Sequence, residues 1–582
     1  MILQALVEYY EALAAKGEIA KQGWGRAKVS YALDISAEGN LLRVIPLTTE
    51  ETRGKKIVIV PQQIMLPEGT KRSSGVAAQF LWDNASYILG LDKGGKPERS
   101  KKCFEATKIK LMEILDKVDN EAAQALKAFF NNWNVDRAAE NEVLKPWIEE
   151  LLGGANITFY FNGKYIAEDR EIAEAWNVYN AVDDGEPKAR CLVTGKVDTI
   201  ARLHPNIKGV RNAQSSGAAL VSFNADAYES YGHEQGYNAP VSKYAAFAYT
   251  TALNTLLASS KNTKVIGDTT IVYWAQSAEE AYTDCFGMSI ADDNDSDEIL
   301  DGFFEKLSKG LPLEFNNCTI DPATRFYVLG ISPNAARLSI RFFLVNIFGS
   351  IMENVKKHYD NLEIAAYDKK RLPLWRILQE TANKNAKEKA ATPLLTGAVL
   401  RSVLTGQRYP QSLYQNIILR AKADQDNPEK KIAKIGKVKA AVIKACLIKN
   451  YGYKEVATVG LNEDSKDTAY VLGCLFAVLE NLQESANPGI VGTIKDRYFN
   501  SACSTPRMVF PILMKLANYH LRKLRSNKGW AIAFEKQIGK LQNKIEMREH
   551  PLPARFNLEE QGKFILGYYH QTQKRYEKKE EK

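Results

Sequence analysis

The strongest constraint on the fold is a change of pattern beyond the middle of this 582-residue chain. Before about residue 330, alternating or wholly apolar runs typical of strands are interspersed with segments of helical periodicity. After that point strand patterns almost vanish, and apolar residues recur every three or four positions. The sequence therefore predicts an α+β protein, with a mixed N-terminal part followed by an all-α C-terminal half.

Local signals place several individual elements. Residues 157–161, followed by Asn-Gly, predict a strand that ends in a hairpin turn. Ser332 as N-cap, with Pro333 at the first helical position, predicts a helix over 334–358. Apolar periodicity predicts further helices over 369–388, 392–405, 410–424, 431–449, 467–485, 489–500, 506–525 and 528–545.

The length argues for several domains, at roughly 150 residues each. Interruptions of the helical pattern suggest boundaries within 345–400 and 450–465. We therefore expect a mixed part over 1–345 with room for two subdomains, a basic helical region over 346–456, and a C-terminal helical bundle over 457–582.

Positive charge is concentrated in the helical half. The net formal charge is only +9, yet residues 401–460 hold twelve Lys or Arg against four acids, and residues 515–582 hold sixteen against eight. Residues 278–301 offset this with nine acids and no base. A polyanionic partner is thus permitted, and a surface that follows a phosphate backbone would have this distribution.

Motifs for several other classes of protein are absent from the sequence. The seven cysteines are scattered, the closest pair being 28 residues apart, and the six histidines form no ligand pair. The longest uncharged apolar run has eleven residues, and the N-terminus lacks a signal-peptide pattern. We expect a soluble cytoplasmic protein without cofactor, metal or membrane partner.

A first candidate binding loop combines cations, hydroxyls and a glycine ahead of an aromatic segment. Such a loop can approach a phosphate or a groove edge closely, since glycine removes the side-chain obstacle. An ordinary turn leading into a helix is the alternative. The candidate residues are Lys71, Arg72, Ser73, Ser74 and, in the following segment, Asn84.

A second candidate loop lies within 208–217 and is the richer of the two. It combines cations, amides, hydroxyls and two glycines, and is followed by several tyrosines. Amides and arginine suit reading of base edges, although such loops often only cap their own backbone. The candidate residues are Lys208, Arg211, Asn212, Gln214, Ser215 and Ser216.

A third group of cations falls on predicted helices. The predicted helix over 431–449 has an apolar stripe, so its lysines are expected to face outward, on phosphates, on a membrane surface or simply in solvent. Arg337 and Arg341 are four positions apart and are expected on one helical face. The lysines are Lys431, Lys434, Lys437, Lys439 and Lys444.

Segments along nearly the whole chain carry a family resemblance. They are 80–90, CLVTG at 191–195, 207–240, GDTTIVYWA at 267–275, LGISPNAAR at 329–337, 487–489, 504–506 and QGKFILGYY at 561–569. In these segments the chain resembles the large subunit of the type I-C CRISPR surveillance complex, Cascade.

The resemblance implies a non-catalytic subunit that reads a protospacer-adjacent motif (PAM) in duplex DNA. It would help to unwind the duplex, stabilise the R-loop and the displaced strand, and recruit a separate helicase–nuclease. The implied partners are the backbone and guide-processing subunits, separate small subunits, CRISPR RNA, target DNA and the helicase–nuclease. The C-terminal bundle would resemble the small subunit, whose separate production would need a non-AUG start because no Met lies between Met352 and Met508. A stand-alone nucleic-acid enzyme and a protein-interaction scaffold remain as alternatives.

Overall fold

The computed structural model describes residues 1–53, 56–69, 75–92, 97–180, 186–290, 297–366, 370–383, 393–427, 433–524, 528–545 and 551–576. The chain forms two compact units. The first consists chiefly of Leu3–Pro205 and Ser222–Ala252, and the second of Asn206–Val221 and Leu253–Lys582. The expected three-part division at 345 and 456 stays a prediction.

The first unit contains most of the strands. Its strands are β1 (Trp24–Val29), β2 (Tyr31–Ile35), β3 (Leu41–Pro46), β4 (Thr48–Arg53), β5 (Lys56–Pro67), β6 (Trp82–Asn84), β7 (Asn156–Phe161), β8 (Lys164–Tyr165), β9 (Lys188–Arg190) and β10 (Val197–Thr199). Its helices are α1 (Ile2–Lys16), α2 (Ala85–Ile88), α3 (Pro97–Leu115), α4 (Glu121–Asn132), α5 (Ile148–Leu152) and α6 (Arg170–Asn180). The division between the units falls within α7 (Lys243–Ala258).

A mixed sheet organises the core of the first unit. Its order is β3-β2-β7-β6, with β8 paired to β7, and β2 lies parallel to β7. The predicted hairpin after β7 is confirmed, with Asn162 and Gly163 at φ 47° and 82°. β1, β5 and β4 form a second sheet, and β9 pairs with β10. The core packs Leu33 and Phe159 of the first sheet against Phe129 and Trp176 from the helices.

The second unit begins with strands and continues as helices. Its strands are β11 (Thr263–Ile266), β12 (Thr269–Ala275), β13 (Leu313–Phe315), β14 (Cys318–Ile320), β15 (Arg325–Asn334) and β16 (Arg337–Ile347). Its helices are α8 (Glu280–Ile290), α9 (Asp297–Ser308), α10 (Phe348–Leu362), α11 (Leu374–Gln379), α12 (Pro393–Thr405), α13 (Gln411–Ala423), α14 (Lys437–Tyr451), α15 (Thr468–Ala486), α16 (Ile494–Ser504), α17 (Pro506–Lys523), α18 (Lys528–Gln542) and α19 (Leu558–Gln573). The α+β class is therefore confirmed.

An antiparallel sheet of order β11-β12-β15-β16 underlies the first part of this unit. Every residue of β12 is buried, including the two threonines that precede its apolar run over 271–275, as expected of a central strand. The predicted helix over 334–358 is wrong in its first half, because β15 and β16 pair from Arg325 to Ile347 and the helix begins only at Phe348. Ser332 and Pro333 lie near the end of β15, not at a helix start.

The hairpin explains this error physically. Pro333 pairs with Leu338 close to the turn, where its missing N–H can be tolerated, and Ala335 turns the chain at φ 52°. A Ser-Pro sequence is compatible with both a helix start and a strand end. Here the segment pairs with a long neighbouring strand, and this pairing selects the strand end. A local sequence signal cannot predict such a long-range pairing. After Ile347, all the regular elements within the described ranges are helices.

Helices α15 and α19 cross with their backbones almost in contact. A Cβ built on Gly473 of α15 would collide with the carbonyl oxygen of Phe564, and one on Gly567 of α19 with that of Tyr470. The Sγ of Cys474 also donates to the carbonyl of Gly567 at 3.4 Å. Sequence periodicity missed α19, although its segment belongs to those that carry the family resemblance.

Replacing either glycine at this crossing should destabilise the second unit. We expect Gly473→Ala and Gly567→Ala each to lower the free energy of unfolding by about 3 kcal/mol, because backbone atoms opposite cannot move aside as a side chain could. Gly539 of α18 is the matched control, since a Cβ added there would have no atom within 4 Å. Gly539→Ala should instead gain roughly 0.5–1 kcal/mol in helix propensity. Urea unfolding of the full chain measures all three, and equal midpoints would contradict the close crossing.

Candidate nucleic-acid interface

The segment from Lys208 to Ser216 forms a closed loop on the second unit. Ile207 and Ala218 exchange two backbone hydrogen bonds of 2.9 Å across its base. Both are buried, as is Val210 within the segment. The apolar residues thus anchor the segment while the polar ones between them project. We call it the 208–216 loop.

Polar contacts fix the loop further. The backbone N–H of Lys208 donates to Asn254 Oδ1 at 2.7 Å, and that of Arg211 to Thr270 Oγ1 at 3.2 Å. Thr270 belongs to β12, so the loop rests on the four-stranded sheet. These bonds engage the backbone of the loop and leave the two cationic side chains uncommitted.

Glycine is required at the end of the loop. Gly217 has φ 91°, and a Cβ there would lie 2.8 Å from the carbonyl oxygen of Ile207. Any side chain would therefore disturb the hydrogen-bonded base. Asn212 also has a positive φ, of 63°, which asparagine tolerates better than most residues. The turn-forming residues seen in the sequence thus have defined places in the loop.

The polar side chains of the loop are available for a ligand. All six candidates of this segment are exposed, and their side chains make no hydrogen bond or ion pair with another described residue. A guanidinium, two amides and two hydroxyls supply both donors and acceptors, which base edges require. The structure brings together Lys208, Arg211, Asn212, Gln214, Ser215 and Ser216.

The first candidate loop can be placed only in part. Lys71, Arg72, Ser73 and Ser74 lie outside the described residues. Asn84 is half-buried, and its Oδ1 accepts a hydrogen bond of 3.1 Å from the N–H of Ser86, which caps α2. Its side chain therefore already has a structural partner.

Arg337 and Arg341 lie on β16, which corrects their expected placement on a helix. Ala219, just after the 208–216 loop, hydrogen-bonds the backbone on both sides of Arg337, through Ala336 and Leu338. The structure thus brings Arg337 beside the loop. Arg341 is partly exposed, and its Nη2 is 3.6 Å from Asp268 Oδ2.

The lysines predicted to face outward are largely buried, and this corrects the interpretation of the basic helix. Lys434, Lys439 and Lys444 are each no more than 2% exposed. Helix α14 begins only at Lys437 and packs against α10, α13 and α19, so its middle has no solvent face. Lys431 lies outside the described residues.

Each buried lysine has protein partners in place of a phosphate. Lys439 Nζ donates to Asp424 Oδ2 at 2.7 Å and to two backbone carbonyls. Lys444 Nζ donates to the carbonyl of Asn361 at 2.9 Å, and burial lowers its pKa to about 8. Burial also lowers the pKa of Lys434. Lys437 is half-buried and donates to the carbonyl of Lys370 at 2.8 Å.

Comparison with known protein families identifies the group to which the chain belongs. A family profile described as CRISPR-associated protein (Cas_Csd1) matches residues 6–576, almost the full length. The chain belongs to the Cas_Csd1 family. No curated protein matches it significantly. The family match covers both the 208–216 loop and the buried lysines.

Two further features bear on what this Cas_Csd1 protein could hold. In the described part of the chain, no three His, Cys, Asp or Glu side chains are grouped as metal ligands would be. Among the described helices, none combines the length and apolarity that a bilayer span requires.

The buried ion pair predicts a stability effect that a phosphate-binding lysine would not have. Lys439→Ala in this Cas_Csd1 protein should lower the free energy of unfolding by about 1–3 kcal/mol, because Asp424 Oδ2 and two backbone carbonyls would lose their buried donor, while Arg420 would still pair with Asp424 Oδ1 at 3.2 Å. Lys437→Ala in the same helix should change it by less than about 1 kcal/mol. Urea unfolding followed by circular dichroism tests both. A Lys439→Ala chain of normal stability but reduced DNA affinity would contradict the structural role.

Proposed function

We propose that this protein is the large subunit of a type I-C CRISPR surveillance complex and reads a PAM in duplex DNA through its 208–216 loop. Membership of the Cas_Csd1 family supports a role in CRISPR-mediated defence. The large-subunit role is supported by the resemblance of segments along the chain. Under this proposal the protein is non-catalytic, and cleavage falls to a recruited helicase–nuclease.

The single observation that carries the proposal is the state of the 208–216 loop. Its backbone is fixed at both ends, while its six polar side chains are exposed and have no partner among the described residues. A fixed backbone lowers the entropy that is lost on binding, and such donors and acceptors need not break internal hydrogen bonds first. Both properties favour direct reading of base edges by Arg211, Asn212 and Gln214.

The proposal divides the work between base reading and backbone contact. Contacts to phosphates position a protein without reading sequence. Of the cations expected to make them, the buried Lys434, Lys439 and Lys444 are engaged within the protein. Backbone contact therefore falls to cations that are at least partly exposed, among them Arg337, Arg341 and Lys437. Unwinding, R-loop stabilisation and recruitment are parts of the same proposal.

Substitutions in the loop test base reading. We expect Arg211→Ala, Asn212→Ala and Gln214→Ala in the guide-loaded complex to narrow the affinity ratio between a PAM-containing and a PAM-scrambled target duplex. Substitution of a residue that contacts a base should reduce this affinity ratio about fivefold or more. Arg376→Ala, on the exposed surface of α11, is the control and should leave the ratio unchanged. An unchanged ratio for all three loop variants would remove the loop as the reader.

A second arm of the same experiment separates backbone contact from base reading. Lys437→Ala should weaken binding of both duplexes alike, since a phosphate contact carries no sequence information. Assembly that is independent of DNA and insensitive to salt, together with unchanged ratios, would instead favour a protein-interaction scaffold. DNA cleavage by the isolated chain with a divalent metal would contradict the non-catalytic role.

A further inference from the structure

Three arginines from separate parts of the second unit line one cleft. The cleft lies between β16, α12 and the loop that follows α12, and has a volume of about 470 Å³. Arg341 comes from the strand, Arg401 from the helix and Arg408 from the loop. No carboxylate is among its described lining residues. We call it the arginine cleft.

Arg341 reaches the cleft through an irregularity of β16. Gly330 pairs with Phe342 and Ile331 with Ile340, so Arg341 is the extra residue of a β-bulge. Bulges redirect side chains and are frequent beside functional sites. The bulge thus supplies a structural reason for a cation at this point in the sheet.

The guanidinium of Arg341 is only partly satisfied. Its Nε is buried and has no hydrogen-bond partner among the described residues. Its acidic neighbour is Asp268, with Oδ2 3.6 Å from Nη2, a distance at the long end for an ion pair. The side chain as a whole is 27% exposed, so an anion in the cleft can accept hydrogen bonds from the exposed part of the guanidinium, away from the buried Nε.

The loop that carries Arg408 is rigidly supported. Gly406, at φ 71°, packs so closely on Asn354 that a Cβ would lie 2.6 Å from its Oδ1. Tyr409 is buried, and Asn450 bonds both its N–H, at 2.8 Å, and its carbonyl, at 3.0 Å. Arg408, between these two fixed points, is exposed and makes no ion pair with a described residue.

Further positive charge lies behind the cleft. Lys449 Nζ donates to the carbonyl of Ser402 at 3.0 Å and lies 4.4 Å from the centre of the Tyr409 ring. Ser402 itself lines the cleft. Lys449 makes no ion pair in the described part of the chain, and burial lowers its pKa to about 8, so it is still mainly charged at pH 7. The field in the cleft therefore favours an anion.

We propose that the arginine cleft binds a backbone phosphodiester of nucleic acid, gripped by Arg401 and Arg408 with Arg341 at its base. This inference rests on the proposed function, because it takes nucleic acid as the partner. Arginine forks match the geometry of phosphate oxygens and can donate two hydrogen bonds at once. The cleft is also large enough for the sugar beside the phosphate, against Phe342 and Leu394.

The lining favours a phosphodiester over an acidic peptide. A phosphodiester requires only donors, whereas a peptide also presents N–H groups that need acceptors. The three guanidinium groups only donate, so donors outnumber the two side-chain acceptors of the lining, which are Gln407 Oε1 and the hydroxyl of Ser402. That hydroxyl itself donates to the carbonyl of Ala398 at 2.8 Å. Gly397 leaves one position on the helix side of the cleft without a side chain.

Salt dependence of binding tests the cleft separately from the 208–216 loop. The full chain is titrated with a fluorescein-labelled single-stranded DNA, its duplex and the RNA of the same sequence. The double variant Arg401→Gln/Arg408→Gln should lower affinity and, because one phosphate contact is lost, make the plot of log K against log salt shallower by about 0.7 for the single-stranded DNA. Arg401→Lys/Arg408→Lys should retain the slope with weaker binding, since charge is kept and the fork is lost.

The matched control is an exposed arginine outside the cleft. Arg376→Gln, on the exposed surface of α11 and outside the cleft, should leave both slope and affinity unchanged. The probe with the largest change identifies DNA or RNA as the source of the phosphate. An unchanged slope on all three probes, or a wild-type chain that binds none, overturns the proposal. Loss of a protein subunit from the complex with an unchanged slope would likewise overturn it, in favour of an acidic protein partner.

The two proposals fail in different ways. If the cleft variants change the salt slope while the loop substitutions leave PAM discrimination intact, the proposal of base reading by the loop is contradicted. The proposal of phosphate binding by the cleft is then supported. If the loop variants narrow discrimination while the cleft variants behave as wild type, the cleft fails alone. Melting curves of the variants confirm that each remains folded, as exposed substitutions at Arg401 and Arg408 should.

Discussion

The close crossing of α15 and α19 determines how the helical half of the second unit is packed. Glycines occupy both sides of the contact, so the two backbones lie closer together than they could if either position carried a side chain. The aromatic rings of Phe476, Phe499 and Phe564 then meet with centroids 5.6–5.9 Å apart. Two polar pairs lie in this core: Tyr568 donates to Glu480 at 2.6 Å, and the Tyr470 hydroxyl is hydrogen-bonded to His570 Nδ1 at 2.9 Å.

The same packing explains why the basic segment around α14 does not form a basic surface. Helix α14 lies among α10, α13 and α19, so lysines that would be solvated on a surface helix are surrounded by protein. They persist in the core because each long side chain ends on a carboxylate or a backbone carbonyl, as Lys439 and Lys444 do. Net charge in a sequence window is therefore a poor guide to surface charge once several helices pack around one.

The hairpin of β15 and β16 supports both surfaces that we associate with nucleic acid. Backbone bonds on either side of Arg337 tie it to the end of the 208–216 loop, and its bulge presents Arg341 to the arginine cleft. A hydrogen-bonded sheet holds such groups in place without side-chain contacts between them. Polar residues with few internal partners thus rest on a rigid element, an arrangement that suits recognition of a ligand with fixed geometry.

Local signals in the chain were enough to predict the α+β class, most helices of the second unit, and the polar, turn-rich character of the 208–216 loop. These features depend on periodicity, turn residues and glycines with positive φ. Long-range packing established that residues 337–347 form a strand, that Lys434, Lys439 and Lys444 are buried, and that Arg341, Arg401 and Arg408 share one cleft. Each of these features depends on residues distant in the chain. Strand pairing, burial of a side chain and the meeting of three arginines in one cleft are determined by the elements that pack alongside, not by the local sequence.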